Sequence, residues 1–189
     1  MASAHKRSIE AAASKLYVGV VEQARQPFFY LKLGVPDTPD GRFDLIALHA
    51  ALLLRRLRRE REHTEALSQA VFDLMFADMD QNLREMGVGD LAVGKRIKAM
   101  AQGFYGRLAA YDVGLAAPGH DVLADALARN VYRHRGPGEG DPAGLARYMR
   151  RQAEALEAQP VEALMAGAVA FDPPAVEAEV EDHAAQRSA

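Results

Sequence analysis

The sequence predicts an all-α fold: a single compact multi-helix domain over residues 1–171, followed by a disordered acidic C-terminal tail over residues 172–189. Apolar residues recur at three- and four-residue steps in most segments, which is the period of one helix face. No segment shows the alternation of apolar and polar residues that a half-buried strand requires. After Asp172 the chain is rich in Pro, Ala and Glu and has almost no large apolar side chains, which is typical of disorder.

The N-terminal part of the chain contains a helix, a short turn, a loop and a long second helix. Residues 7–26 form a helix with one apolar face, which Pro27 ends or bends, and "FFYLKL" adds a short apolar turn. "GVPDTPDG", residues 34–41, is a loop because it contains two prolines between glycines. A long helix follows over residues 42–62, with Asp40 near its N-cap. This helix is apolar almost all round through Leu54, which predicts burial against several neighbours.

Further helices are predicted in the second part of the chain. Asp90 is placed to cap the helix that follows the 87–90 turn. Asp141-Pro142 supplies an N-cap and a proline at the first helical position of a later helix. The predicted helices cover residues 64–86, 91–115, 121–134 and 142–158. "RGPGEGD" forms a flexible loop before the last of them, and residues 160–171 add a final turn or two.

Composition excludes several classes of protein. The formal net charge of −3 gives no global attraction to nucleic acid, and the absence of cysteine excludes disulfides and thiolate sites. The longest apolar stretch, residues 43–54, falls short of the roughly 20 residues that span a bilayer. The first residues lack the apolar region of a secretion signal. A basic amphipathic start also suits an organelle transit segment, although Glu10 and Glu22 argue against one.

A nucleotide-binding motif is imitated at residues 89–96. "GDLAVGKR" satisfies the first seven positions of the phosphate-binding pattern G-x-x-x-x-G-K-[ST], but Arg96 replaces the hydroxyl that would bind Mg²⁺. The preceding residues are helical by their periodicity, whereas this motif needs a strand before it. We therefore interpret Gly87 and Gly89 as a helix end followed by a turn.

Metal and catalytic motifs are weaker still. Asp78, Asp80 and Asn82 imitate the opening of a calcium loop, but Leu83 and Gly89 occupy the positions that need Gly and Glu. The six histidines show no pair at the helical spacing of metal ligands. His49 lies in an apolar helix and is interpreted as a hydrogen-bonded core residue, with a ligand or general base as the alternative.

The stretch "RRLRRER", residues 55–61, places five arginines at the end of a predicted helix. One interpretation is a solvated helix end whose cations interact favourably with the helix dipole. The other is a docking surface for phosphate groups of lipid or RNA. The residues of that anionic-surface docking site would be Arg55, Arg56, Arg58, Arg59 and Arg61.

Methionine and phenylalanine are concentrated between residues 72 and 104. Such a stripe usually packs in a core, but Met is also the residue of adaptable apolar binding surfaces. The apolar groove that this stripe would form consists of Phe72, Met75, Phe76, Met79, Met86, Met100 and Phe104.

Two long stretches of the chain resemble the ubiquinol–cytochrome c chaperone family. They are "FADMDQNLREMGVGDLAVGKRIKAMAQGFYGRLAAYD", residues 76–112, and "FFYLKLGVPDTPDGRFDLIALHAALLLRRL", residues 28–57, and the likeness covers residues 10–165. Members of this family are helical assembly factors for respiratory complex III, and mitochondrial relatives bind newly made cytochrome b near the ribosomal tunnel exit, together with a small partner protein. The compact N-terminus and the Ala/Arg-rich composition are more typical of a bacterial member.

The resemblance implies a non-enzymatic chaperone that binds cytochrome b and contacts the ribosome or an anionic membrane surface. It implies no DNA partner, cofactor or metal, and a cytoplasmic protein peripheral to the inner membrane, with a mitochondrial location as the alternative. Oligomeric state has no signal in the sequence. A helical protein that binds haem or another small molecule, with His49 or another histidine as axial ligand, and a helical enzyme remain alternatives.

Polar residues within the family block are the candidates for partner contact, since a core does not need them for packing. They serve equally well in capping and inter-helix hydrogen bonding around the 87–90 turn. These residues are Asp78, Asp80, Asn82, Arg84, Glu85, Asp90, Lys95 and Lys98.

Overall fold

The computed structural model describes residues 2–133, 136 and 138–174, and all regular secondary structure in these ranges is helical. This confirms the all-α prediction. The helices are α1 (Ala2–Ala24), α2 (Pro27–Leu31), α3 (Pro39–Leu57), α4 (Arg61–Glu85), α5 (Asp90–Ala116), α6 (Asp121–Asn130), α7 (Pro142–Glu157) and α8 (Val161–Met165). A 3-10 turn, Arg58–Glu60, separates α3 from α4. None of these helices combines the length and the apolar character of a membrane-spanning segment.

Helix α3 lies at the centre of the bundle. It packs against α1, α4, α5 and α7, and every residue from 43 to 53 is buried. Its apolar circumference therefore faces neighbours on all sides, as the sequence predicts. Helix α4 runs along α1, and α5 continues the layer through contacts with α4 and α6.

Two predicted helix starts are wrong in detail. Thr38, not Asp40, is the N-cap of α3, and its hydroxyl accepts a hydrogen bond from the Gly41 amide at 3.1 Å. Asp90 is the first residue of α5 and makes no capping bond, because Gly89 occupies the N-cap. The N-cap predicted at Asp141 is confirmed: its carboxylate accepts from the Gly144 amide at 2.7 Å.

The predicted helix over residues 42–62 is interrupted at the 3-10 turn. The buried Thr64 hydroxyl donates to the Leu57 carbonyl at 2.6 Å and to the Glu60 carbonyl at 3.2 Å. These bonds satisfy carbonyls that the end of a helix leaves free. The chain can therefore change direction there, and α4 folds back along α1.

The turn between α4 and α5 is a Schellman-type helix end. The Val88 amide donates to the Leu83 carbonyl, and the Gly87 amide donates to the Arg84 carbonyl. Gly87 has φ = 80°, in the left-handed region that favours glycine. The interpretation of Gly87 and Gly89 as a helix end and a turn is confirmed, and no strand precedes the lysine of the nucleotide-like motif.

The chain after α8 is fastened to α7 by two glutamine side chains. Gln152 bonds the Asp172 amide and carbonyl, and Gln159 bonds the Ala170 amide and carbonyl, at distances between 2.7 and 2.9 Å. Residues 175–189 of the predicted tail lie outside the described residues, as do positions 134, 135 and 137 of the predicted helix end and loop.

Candidate functional site

A cleft of about 1010 Å³ opens between two parts of the bundle. One wall is formed by Arg25 just after α1, by α2 and by the start of α3 with the loop before it, and the other by the C-terminal half of α4 and the first half of α5. Its apolar lining comprises Pro27, Tyr30, Leu31, Pro39, Phe43, Ile46, Met79, Leu83, Met86, Ala99 and Met100. Its polar lining comprises Arg25, Asp37, Asp40, Arg42, Asp78, Asn82 and Arg96.

The predicted Met/Phe groove is divided between this cleft and the core. Met79, Met86 and Met100 line the cleft. The remaining members, Phe72, Met75, Phe76 and Phe104, do not line it. Phe76 and Phe104 pack edge to face between α4 and α5 at 6.1 Å between ring centroids, and Met75 is fully buried. These four side chains lie outside the cleft, and their assignment to a client groove stays a prediction.

The opposite wall of the cleft was missed from the sequence. Tyr30 and Leu31 come from the short helix α2, and Leu31 is 80% exposed although it is a large apolar residue. A weak signal lies in the two prolines, Pro27 and Pro39, which isolate this helix from its neighbours. Nothing in the local pattern indicates that it faces α4 and α5.

Three of the predicted partner-contact residues hold the α4–α5 turn together. The Arg84 guanidinium bonds Asp80 at 2.5 Å within α4, and it also bonds Asp90 at the start of α5. Glu85, also in this set, accepts a hydrogen bond from Gln81 at 2.9 Å. The Arg84–Asp90 bond is an inter-helix contact around the turn, one of the two interpretations left open by the sequence, whereas the Asp80–Arg84 bond lies within α4.

Asp78 and Asn82 have both a structural partner and a place on the cleft wall. Tyr17 of α1 donates its hydroxyl to Asp78 at 2.6 Å, and Asn82 donates to the side chain of Asp78 at 3.1 Å. Burial, together with the hydrogen bond to Asp78, raises the pKa of Tyr17 above its ordinary value. Asp78 thus anchors α1 to α4 while its neighbourhood faces the cleft.

The cations around the cleft differ in whether they are paired. Arg42 bonds Asp37 at 2.7 Å, and this hydrogen bond lowers the pKa of Asp37. Arg25 and Arg96 line the cleft, and their side chains make no hydrogen bond or ion pair within the part of the chain that the structure describes. The same is true of the side chains of two exposed lysines of α5 that do not line the cleft, Lys95 and Lys98.

Every arginine of "RRLRRER" has a partner inside the protein. Arg55 and Arg58 both pair with Asp112 of α5, at 3.3 and 2.6 Å. Arg61 pairs with Glu65 at 2.8 Å, and Arg59 pairs with Glu157.

Arg56 is buried in the core. Its Nε donates to the Leu156 carbonyl at 3.0 Å, its Nη2 to the Gln159 carbonyl at 2.8 Å, and its Nη1 bonds Glu60 at 2.5 Å. Since the residue is only 5% exposed, its assignment to an anionic docking surface is wrong.

His49 is a hydrogen-bonded core residue, as the sequence interpretation favours. It has no exposed surface, and its Nδ1 donates to the Leu45 carbonyl at 2.8 Å. Its Nε2 therefore accepts from the Tyr148 hydroxyl at 2.7 Å. Burial lowers the pKa of His49 to about 4. Both ring nitrogens are occupied, so the alternative of His49 as an axial haem ligand is wrong.

The described residues form a helical bundle with an apolar cleft between its helices. Among the described residues, no group of three or more His, Asp or Glu side chains is arranged to hold a metal ion. The sequence profile of the family "Ubiquinol-cytochrome C chaperone" matches residues 31–171, which is most of the chain. The chain therefore belongs to the ubiquinol–cytochrome c chaperone family.

Similar proteins come from animals and from a bacterium. The human "Ubiquinol-cytochrome c reductase complex assembly factor 1" is 28% identical over 169 residues, which are 89% of this chain and 56% of the human protein. The mouse protein of the same name is 28% identical over 160 residues, 85% of this chain and 54% of the mouse protein. The chain thus spans about half the length of these relatives, which are named as assembly factors and not as enzymes.

A solved bacterial structure has a similar fold and a higher sequence identity than the human and mouse proteins. The crystal structure of the Cbp3 homolog from Brucella abortus matches with a TM-score of 0.80 and 38% sequence identity, covering 88% of this chain and 92% of that one. The fold described above is therefore shared with a bacterial protein over nearly its full length.

Proposed function

We propose that this protein is a non-enzymatic chaperone for the assembly of ubiquinol–cytochrome c reductase, and that it holds newly made cytochrome b. Family membership and the names of the relatives support the assembly role. We choose cytochrome b as the client because the cleft has an apolar lining with charged side chains around it. Cytochrome b is a multi-helix membrane protein, so its segments need apolar cover until they pack together.

The dimensions of the cleft suit a short length of helix. A helix with side chains is about 10 Å wide and rises about 5.4 Å per turn, so 1010 Å³ corresponds to about two turns. An apolar helix lying in a groove is a common mode of peptide recognition. Met79, Met86 and Met100 are flexible and polarizable, which suits a surface that accepts several apolar sequences.

Release of such a client needs no chemical step. A bound segment would leave when its apolar face packs against other helices of cytochrome b, because that packing buries the same surface permanently. A holder of this kind functions through reversible burial of apolar area. We place it on the cytoplasmic side of the inner membrane, where unfinished membrane segments are exposed.

The proposal is tested by deleting the gene and restoring it with two matched variants. Ala99 and Ala109 are both exposed on α5, but only Ala99 lines the cleft. An Ala99→Trp variant should fill part of the cleft and fail to restore complex III, whereas Ala109→Trp should restore it. Complex III activity, cytochrome b content and the other respiratory complexes are measured in each strain.

The outcomes separate the function from the site. Normal cytochrome b and complex III in the deletion strain would reject the chaperone assignment. Full restoration by Ala99→Trp would reject only the cleft as the client site. The wild-type protein and both variants are also purified from their strains, and co-purifying cytochrome b is measured. Cytochrome b that co-purifies with the wild type and with Ala109→Trp, but not with Ala99→Trp, supports both parts of the proposal.

A further inference from the structure

Large apolar side chains are exposed at one edge of the cleft. Leu31 and Met86 stand on its two walls and are 80% and 58% exposed. Leu91, in the first turn of α5, is 99% exposed and does not line the cleft. A single exposed leucine is common on protein surfaces. Three large exposed apolar side chains, two beside the α4–α5 turn and one on α2, indicate an interaction surface. A client inside the cleft would leave Leu91 uncovered.

Unpaired cations follow on the same helix. Lys95 and Lys98 lie one and two turns beyond Leu91, and Arg96 lies between them. None of the three side chains makes an ion pair or hydrogen bond within the described chain. The carboxylate nearest in sequence, Asp90, is bonded to Arg84. The first half of α5 therefore presents positive charge that the protein leaves available.

We propose that this edge of the molecule docks onto the surface of an anionic lipid bilayer. Its apolar side chains would enter the boundary between headgroups and acyl chains, while its cations face lipid phosphates. We call this surface the docking edge. It consists of Leu31, Met86, Leu91, Lys95, Arg96 and Lys98. This inference goes beyond the proposed chaperone function. Leu31, Met86 and Arg96 also line the cleft, so vesicle binding is measured on the protein without a client.

The chain supplies a matched control for charge. Lys95→Gln/Arg96→Gln/Lys98→Gln removes three cations from the docking edge. Arg58→Gln/Arg59→Gln/Arg61→Gln removes three cations that are already paired with Asp112, Glu157 and Glu65. The two variants have the same net charge, so any difference between them reports position and pairing.

Binding is measured by co-sedimentation with vesicles of phosphatidylcholine and phosphatidylglycerol in a ratio of about two to one. Each cation near an anionic surface contributes about fivefold in affinity, so the docking-edge variant should bind about a hundredfold more weakly. The control variant should bind within a few-fold of the wild type. Binding of the wild type should fall steeply at high salt and on pure phosphatidylcholine.

A second variant tests the apolar part of the docking edge. Met86→Ser/Leu91→Ser should also lose vesicle binding while its melting temperature stays unchanged, because both side chains are exposed. The proposal is overturned if the docking-edge variant binds vesicles like the wild type, or if the control loses as much affinity. It is also overturned if both docking-edge variants lose cytochrome b recovery but keep vesicle binding, since the edge would then be a client contact. If the wild-type protein fails to bind the vesicles, the docking proposal is overturned. The cleft proposal would still stand, because it is tested by measuring cytochrome b and complex III.

Discussion

Arg56→Ala should be among the most destabilising substitutions on the surface-like stretch "RRLRRER", although its sequence context suggests an exposed cation. The Arg56 guanidinium joins the end of α3 to the end of α7 by bonding the Leu156 and Gln159 carbonyls, and it also bonds Glu60. Removal of the side chain leaves these acceptors without their donor in a region that water does not reach freely.

The magnitude follows from the number and kind of bonds. A hydrogen bond from a charged donor contributes about 1.5–3 kcal/mol, and breaking a buried charge pair costs about 3–5 kcal/mol. Glu60 is partly exposed and can recover water, so we expect the free energy of unfolding to fall by about 3–4 kcal/mol. Arg59→Ala removes a more exposed pair with Glu157 and should cost less than about 1 kcal/mol.

Urea denaturation followed by circular dichroism measures both variants against the wild type, with the slope checked for constancy. Salt at about 1 M should erase the small effect of Arg59→Ala but leave that of Arg56→Ala, because buried groups are screened little. Arg56→Lys should recover only part of the loss, since lysine lacks the planar fork that reaches two carbonyls. If Arg56→Ala falls within about 1 kcal/mol of Arg59→Ala, the description of Arg56 as a buried clamp is incorrect.

Three further predictions concern pH, glycine and nucleotides. The folded pKa of His49, about 4, is below its unfolded value of 6.5, so only the unfolded state gains a proton between these values. The free energy of unfolding should therefore fall by about 3 kcal/mol as pH drops from 6.5 to 4, and denaturation of His49→Leu should show a flatter profile. Gly87→Ala should destabilise by about 1–2 kcal/mol in thermal melts because φ is positive, whereas Gly94→Ala, in open space on α5, should stabilise by about 0.5–1 kcal/mol; equal effects would contradict this. Mg-ATP and Mg-GTP should leave the melting temperature unchanged, and saturable stabilisation would show that a nucleotide site exists.

The helices could be predicted from the sequence because a helix that buries one face has apolar residues at three- and four-residue intervals. The period of apolar residues and the Asp141-Pro142 start mark helices that the structure contains. The break after α3 was not predictable, because residues 42–62 keep helical character throughout. It depends on Thr64 reaching the Leu57 carbonyl, and that bond exists only after the chain has turned.

The cleft was only partly predictable, because it joins segments that are distant in sequence. Periodicity shows that Met79 and Phe76 are apolar positions on one helix, but not which neighbour each will meet. In the structure Phe76 meets Phe104 of α5, whereas Met79 faces the cleft. Which of the two is free depends on where α2 and the start of α3 lie, about fifty residues earlier in the chain.

Charge is the property for which sequence and structure differ most here. "RRLRRER", residues 55–61, has more cations than "GKRIK", residues 94–98, so sequence alone favours the first stretch as a docking site for anions. Arg55 and Arg58 nevertheless share Asp112 as a partner and Arg59 pairs with Glu157, and these carboxylates lie between 54 and 98 residues away in sequence. The cations of "GKRIK" have no such partners among the described residues. A paired cation must give up its carboxylate before it can bind a phosphate, whereas an unpaired one exchanges only water, so the shorter run is the stronger candidate for a charged surface. The two triple-glutamine variants test this reasoning directly, because they change net charge equally and differ in the position of the removed cations and in whether these were paired.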